Sequence, residues 1–249
     1  MSRWKASGIH LFISGLIALS VAAVMFFIWY PQPYFEALGG KRLLIILLSV
    51  DLVLGPMITL IIYNEKKKSL KYDLAIIGFI QLSALFYGAS VLFEARPVFL
   101  VFTVDQFEVV SARDLLPEEL NKVENERYKS LSITGPELVT AMMPKEIEER
   151  QKILFSALDG GPDLQGMPQY YVPYMDTKDE VVSRIKSLND LSKVRSDFKT
   201  EIIMQAKQDG YEKSTIGYLP VHAGNVFITA IMNTKTAEII KLVNIDPWG

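Results

Sequence analysis

The sequence has no cysteine, only two histidines, and charged residues make up just 22% of it. Without thiols there is no disulfide framework, no thiolate-held metal and no cysteine nucleophile. His10 and His222 fall on opposite sides of the membrane in the topology argued below, so a paired-histidine metal site is excluded. There is also no Gly-rich phosphate loop, no GxSxG elbow and no HExxH motif. Asp159, Asp163 and Asp176 flank a Gly/Pro-rich loop, but scattered acids with no activated nucleophile or partner base read as surface charge. The chain is therefore expected to be no enzyme, and neither a metal nor a cofactor is expected. Internal repeats and low-complexity tracts are absent as well.

What the chain does have is apolar sequence, 50% of residues, unevenly placed. Residues 1–96 carry nine Lys/Arg against five Asp/Glu, and residues 97–249 carry 17 against 23. The first part holds three long apolar runs, at 9–30, 43–63 and 74–93. At 1.5 Å rise per residue, about 20 residues cross a hydrocarbon core of roughly 30 Å, so each run is expected to span a bilayer. A cleaved signal peptide competes for the first run, because Arg3 and Lys5 precede it. The run is longer than a usual signal core and is followed by Pro31-Gln32-Pro33-Tyr34 instead of a small-residue cleavage site, so it is read as a retained span.

Positive charge in short flanks sets orientation. Arg3, Lys5, Lys66, Lys67, Lys68 and Lys71 lie on one side, and Lys41, Arg42 and Arg96 on the other. The N-terminus and the lysine loop are expected to be cytoplasmic, and everything after the third span extracytoplasmic. The lysine run is read as this topology signal in preference to lipid-specific binding. Trp29, Tyr30, Tyr34, Phe35, Tyr63 and Tyr72 sit at span ends, where rings anchor at the lipid headgroups. Arg96 is expected to snorkel to anionic headgroups, and Pro97 to end the helix in a membrane-proximal hinge. With the only dense basic cluster between two spans, nucleic-acid binding is excluded.

From residue 98 the pattern changes. VFLVFTV and FEVV, broken at Asp105-Gln106, predict one long strand or a tight hairpin. Residues 117–128 and 144–158 each open with proline and acids, a favourable helix start. The stretch 160–174, GGPDLQGMPQYYVPY, cannot hold a regular helix. Helices are predicted at 179–188 and 196–208, and strands at 215–221, 225–232 and 238–245 as an antiparallel meander. The architecture expected is a three-helix transmembrane bundle over residues 1–96, then an α+β extracytoplasmic domain with antiparallel strands over 97–249.

Candidate binding residues follow from polarity in the wrong place. Asp51 lies near the middle of the second run, where insertion costs at least roughly 2.5–3.5 kcal/mol. Asp51, Gly55 and Thr59 recur at helical spacing on one face, and Pro56 can loosen the backbone there. Ser14, Ala18 and Ala22 in the first run, and Gln81, Ala84 and Gly88 in the third, offer small or polar faces for close contact. Two readings stay open. Asp51 either bonds Gln81 or a serine inside the bundle, or forms with Gly55, Thr59 and Gln81 a docking face for another protein's transmembrane helix. Tyr170, Tyr171 and Tyr174 form the best external patch by composition, with core packing as the alternative.

The order of blocks RWKASGIHLFISGLIA, WYPQPYF, VDLVLGPMITLIIY, YDLAIIGFIQLSALFYG, ARPVFLVFTVDQFEVV, GGPDLQGMPQYYVPY and YLPVHAGNVFITAIMNTKTAEIIKLVNIDPW resembles the type IV pilin accessory proteins, the TfpX/TfpZ group. The resemblance covers nearly the whole chain and implies a multi-pass protein of the bacterial inner membrane with a periplasmic domain. It implies a type IV pilin subunit as partner, beside membrane lipid, and a chaperone-like role in pilus assembly or dynamics. It supplies no catalytic residues. The rival class is a membrane-anchored sensor or ligand-binding module, against which the expected cytoplasmic parts are too short for an output domain of their own.

Overall fold

A computed structural model describes residues 1–190, 199–200, 203–204, 206 and 210–248. Three helices are long and apolar enough to cross a membrane: Arg3–Trp29, Gly40–Ile62 and Leu70–Glu94. Each starts three to six residues before the apolar run that announced it, because polar residues at the ends still propagate helix. Ser2, for instance, caps the first helix by accepting the backbone N–H of Lys5 at 3.3 Å. The first two helices each contain a π-helical stretch, Met25–Trp29 and Val50–Leu54. The second stretch directly precedes Gly55-Pro56. A mid-helix proline has no N–H and crowds the carbonyl four residues back, and a widened turn relieves both problems.

The second helix lies between the other two. The small faces work as spacers: Ala6, Ser14 and Ala18 of the first helix are buried, and Gly88 of the third leaves no room for a Cβ beside Leu47. The first and third helices meet at their sheet-proximal ends, where Trp29 and Phe93 pack edge to face with centroids 5.2 Å apart and Tyr30 Oη donates to the Leu92 carbonyl at 2.7 Å.

Among the described residues, the rest of the chain is built on one eight-stranded mixed sheet. Its strands are β1 Pro97–Thr103, β2 Gln106–Ser111, β3 Glu137–Ala141, β4 Tyr171–Pro173, β5 Lys186–Ser187, β6 Ile216–Ala223, β7 Val226–Asn233 and β8 Ile239–Val243. The order is β4-β3-β1-β2-β6-β7-β8, with β5 pairing β6 off that path. β1 and β2 make the hairpin, and β6, β7 and β8 the antiparallel meander. The antiparallel strands expected from the sequence are joined by parallel pairs, so the sheet is mixed. β1 pairs β3, and β2 pairs β6, in parallel. Parallel neighbours need long crossovers, and local periodicity carries no record of which distant strand a crossover returns to.

Both sheet faces are buried, which explains the unbroken apolar run of β1. Leu100 and Phe102 point into one core with Phe107, Leu219 and Ile228. Phe99 and Val101 point into the other with Val139, Ile153 and Tyr171. Other elements differ from expectation in detail. The helix predicted at 117–128 is two short ones, Pro117–Asn121 and Glu126–Lys129, and that at 144–158 starts at Ile147. The helix at 179–188 is Lys178–Arg184, followed by β5. The helix predicted at 196–208 lies mostly outside the described residues.

The junction between helices and sheet is packed. The short helix Tyr34–Ala37, in the turn between the first two long helices, inserts Tyr34 and Ala37 into the first sheet core. Tyr30, Tyr34 and Phe35 are therefore buried against protein and are not interfacial anchors, a result of that turn folding under the sheet. Arg96 is likewise only 5% exposed and does not reach outward. Its guanidinium donates to the carbonyls of Phe93 at 2.6 Å and Ser132 at 2.9 Å, and it stacks over the Phe93 ring. A cation on the last carbonyls of a helix offsets the helix dipole, so the expected hinge is a fastened joint.

Candidate functional site: a polar cleft between the long helices

Below their contact at Trp29 and Phe93, the first and third helices diverge and leave a cleft of about 400 Å³ floored by the second helix. The structure brings Asp51, Gly55, Thr59 and Gln81 together there. Asp51, in the middle of the second helix, is 6% exposed, and its Oδ1 makes no hydrogen bond within 3.5 Å among the described residues, although the Gln81 side-chain amide stands close enough to act on the carboxyl. Gln81 Nε2 makes no such bond either. Gly55 lets these side chains come close: a Cβ there would displace the Gln81 amide and stand 3.0 Å from His10 Nε2.

His10 was missed as a member of this site. Its Nδ1 lies 2.6 Å from Thr59 Oγ1, and one turn earlier Ser7 Oγ donates to the Pro56 carbonyl at 2.8 Å. The sequence-level topology had set His10 to one side of the membrane, yet the helix begins at Arg3 and carries His10 two turns into the bundle. The available signal was Ser7, His10 and Ser14, a polar stripe at helical spacing that continues into Ala18 and Ala22.

Asp51 also lines a second cleft, of about 320 Å³, between the second and third helices on the sheet-proximal side. Apart from Asp51, it is lined chiefly by leucine, isoleucine and valine. One carboxylate thus stands where two clefts meet. A buried, unsatisfied polar atom costs about 1–3 kcal/mol, more when charged, and that deficit is recovered by any group that supplies a donor.

The external tyrosines behave differently. Tyr171 and Tyr174 are 5% and 4% exposed, in opposite cores of the sheet. Tyr171 Oη donates to the Gln165 carbonyl, and Tyr174 Oη to the Ala237 carbonyl at 2.7 Å. Burial pushes both phenols above their ordinary value. With Tyr170 half-buried, no tyrosine patch faces outward, which corrects that expectation; each ring has an apolar body and a polar tip, and both are satisfied inside.

A second polar cluster sits at the short parallel join between β2 and β6. β2 and β6 pair only through Phe107 with Val221 and Glu108 with His222. His222 Nδ1 is 2.8 Å from Glu108 Oε2, and its ring stacks on Phe227. Burial pushes the Glu108 carboxyl up, and His222 and Gln106 partly offset this. Among the described residues no group of three or more His, Asp or Glu could hold a metal ion.

The comparisons with known proteins point one way. The family Fimbrial assembly protein FimB matches residues 1–39, the first long helix and the turn after it. The fimbrial assembly protein of Dichelobacter nodosus serogroup E1 is 29% identical over 98% of this chain and 95% of its own length. That of serogroups C1 and C2 is 40% identical over 47% of this chain and 90% of its own length. No solved structure matches. With the serogroup I protein of the same organism 30% identical over 98% of this chain and 95% of its own length, the chain belongs to the fimbrial assembly protein FimB family.

Proposed function

We propose that the protein is a non-enzymatic, chaperone-like accessory of fimbrial assembly in the bacterial inner membrane, and that its partner is a type IV pilin subunit. In this reading residues 1–96 span the bilayer three times with the N-terminus in the cytoplasm, and residues 97–249 form a periplasmic domain. The names of the relatives and the likeness to the TfpX/TfpZ pilin accessory group support the process and the partner class. The observation that carries the mechanism is the open cleft with the unpartnered Asp51 oxygen at its floor. A pilin awaiting assembly has an apolar helix in the membrane and a head outside it. The cleft receives that helix through apolar walls contributed by Ile13, Ile17 and Leu82. A donor on the helix satisfies Asp51, and the sheet domain stands beside the head.

Photocross-linkers placed at Ile17 and Leu82 in native membranes test this. Pilin adducts at both positions are expected, and Asp51→Leu at normal protein levels is expected to reduce adducts and surface pili together. Unchanged adducts and piliation in Asp51→Leu would remove the cleft from the mechanism. Reporter fusions after Lys68 and after Asp114 check the topology, which is wrong if the second reports from the cytoplasm.

A further inference from the structure

The second cleft does not end at the helices. Leu43 lines both it and a further cavity of about 360 Å³ under the sheet. Val91 and Leu92 line the cleft, and Ala95, one turn on, lines the cavity. The two spaces share the Leu43 wall and lie one turn of the third helix apart. The lower one is apolar and follows the third helix from Leu92 down to Ala84, about 12 Å at 1.5 Å per residue. That is close to one leaflet of a hydrocarbon core roughly 30 Å thick, and Asp51 marks its lower end.

The upper cavity has a different chemistry. Arg113 and Asp114, from the turn after β2, both line it and are more than half exposed. Asp114 Oδ2 is engaged in capping, accepting the Ser111 N–H at 2.9 Å, and its Oδ1 stands 3.8 Å from Arg113 Nε, too far for a hydrogen bond. The terminal guanidinium nitrogens have no hydrogen-bond partner among the described residues. An apolar slot of one leaflet's depth, beside a cavity edged by one cation and one anion, has the chemistry of a lipid with a zwitterionic head.

We infer that this slot holds one glycerophospholipid of the sheet-proximal leaflet, its phosphate on Arg113, its ammonium on Asp114 and an acyl chain along Leu43, Val91 and Ala84. The inference rests on the membrane reading above but needs no pilin. The shared chemistry with free phosphate is the Arg113 contact; the acyl slot assigns the lipid as the source.

The test is native mass spectrometry of the full chain in detergent, delipidated and then exposed to micelles of phosphatidylethanolamine, phosphatidylglycerol or both. One phosphatidylethanolamine is expected to be retained in preference to phosphatidylglycerol. Arg113→Gln, an exposed change, should lower retention about tenfold, the scale of one charge-assisted hydrogen bond. Ala84→Phe, which fills the slot, should abolish it. Equal retention by Arg113→Gln and the parent, equal retention of the two lipids, or displacement by millimolar inorganic phosphate would each overturn the proposal. So would a pilin adduct from a photocross-linker at Ala84. Carbonate extraction separates the two readings: a protein released from membranes sinks the membrane reading, whereas an integral protein with non-selective lipid retention sinks this one alone.

Discussion

Phe27, Ile61, Phe79 and Phe86 on the three long helices are all more than 70% exposed, while Phe99, Leu219 and Ile228 in the sheet are fully buried. The same residue types are thus turned outward in one region and inward in the other. A helix satisfies its backbone hydrogen bonds within itself, so its side chains can face a bilayer; a sheet of this kind must cover both faces with protein. The polar residues do not divide so cleanly. Asp51 and Gln81 hide unpaired atoms among the helices, and Tyr128 Oη and Gln169 Oε1 do so beside the sheet, whereas Tyr171 and Tyr174 are hidden with their hydroxyls paired. What sets Asp51 apart is that it is an ionisable group lining two clefts.

The sharpest way to break this comparison is to make one truncation in each region. Ile228→Ala should destabilise the sheet by about 2–5 kcal/mol, because it opens a cavity in a packed core. Ile61→Ala should shift stability by only about 0.5 kcal/mol or less. Thermal unfolding in detergent reads both, and equal losses would mean that the helices' outer faces are covered by protein. Next in size is Gly55→Leu, which forces Gln81 and His10 apart and should cost about 1–3 kcal/mol by overpacking. Its unfolding should change as much as its pilin cross-linking, whereas Asp51→Leu should affect cross-linking far more than unfolding.

Tyr174→Phe removes the donor to a buried carbonyl at Ala237 and should cost about 1 kcal/mol, with no change in piliation beyond that expected from protein level. The smallest effect concerns Glu108. Its carboxyl is raised above the ordinary value of 4.5, so its contribution to stability is fully present below that value and is lost as pH rises through the raised folded value. Glu108→Gln should flatten that part of a stability-versus-pH curve; an unchanged slope would mean that His222 fully compensates the burial.

Much of this was legible beforehand, and unequally. The three helices announced themselves because apolar runs of this length have few alternatives, and the β6–β8 meander because turns at Gly224 and at residues 233–236 break alternating strands. Asp51, Gly55, Thr59 and Gln81 were legible as a set because helical spacing and the cost of polarity in an apolar run both singled them out. His10 escaped because it lies near the end of a run, where a polar residue looks like a flank. The tyrosines misled because composition reports that a ring is amphipathic and says nothing about which end meets water.

By itself, the sequence determined the division into an apolar helical part and a sheet part, the charge contrast between them and the polar stripe on the second helix. These depend on local composition and on the 3.6-residue period, both properties of the chain alone. The tertiary structure decided the parallel joins of the sheet, the burial of Tyr30, Tyr34 and Arg96 at the junction and the divergence of the first and third helices. Each of these depends on which distant segment arrives as neighbour. Only that arrival leaves Asp51 between two clefts with an oxygen still to be satisfied.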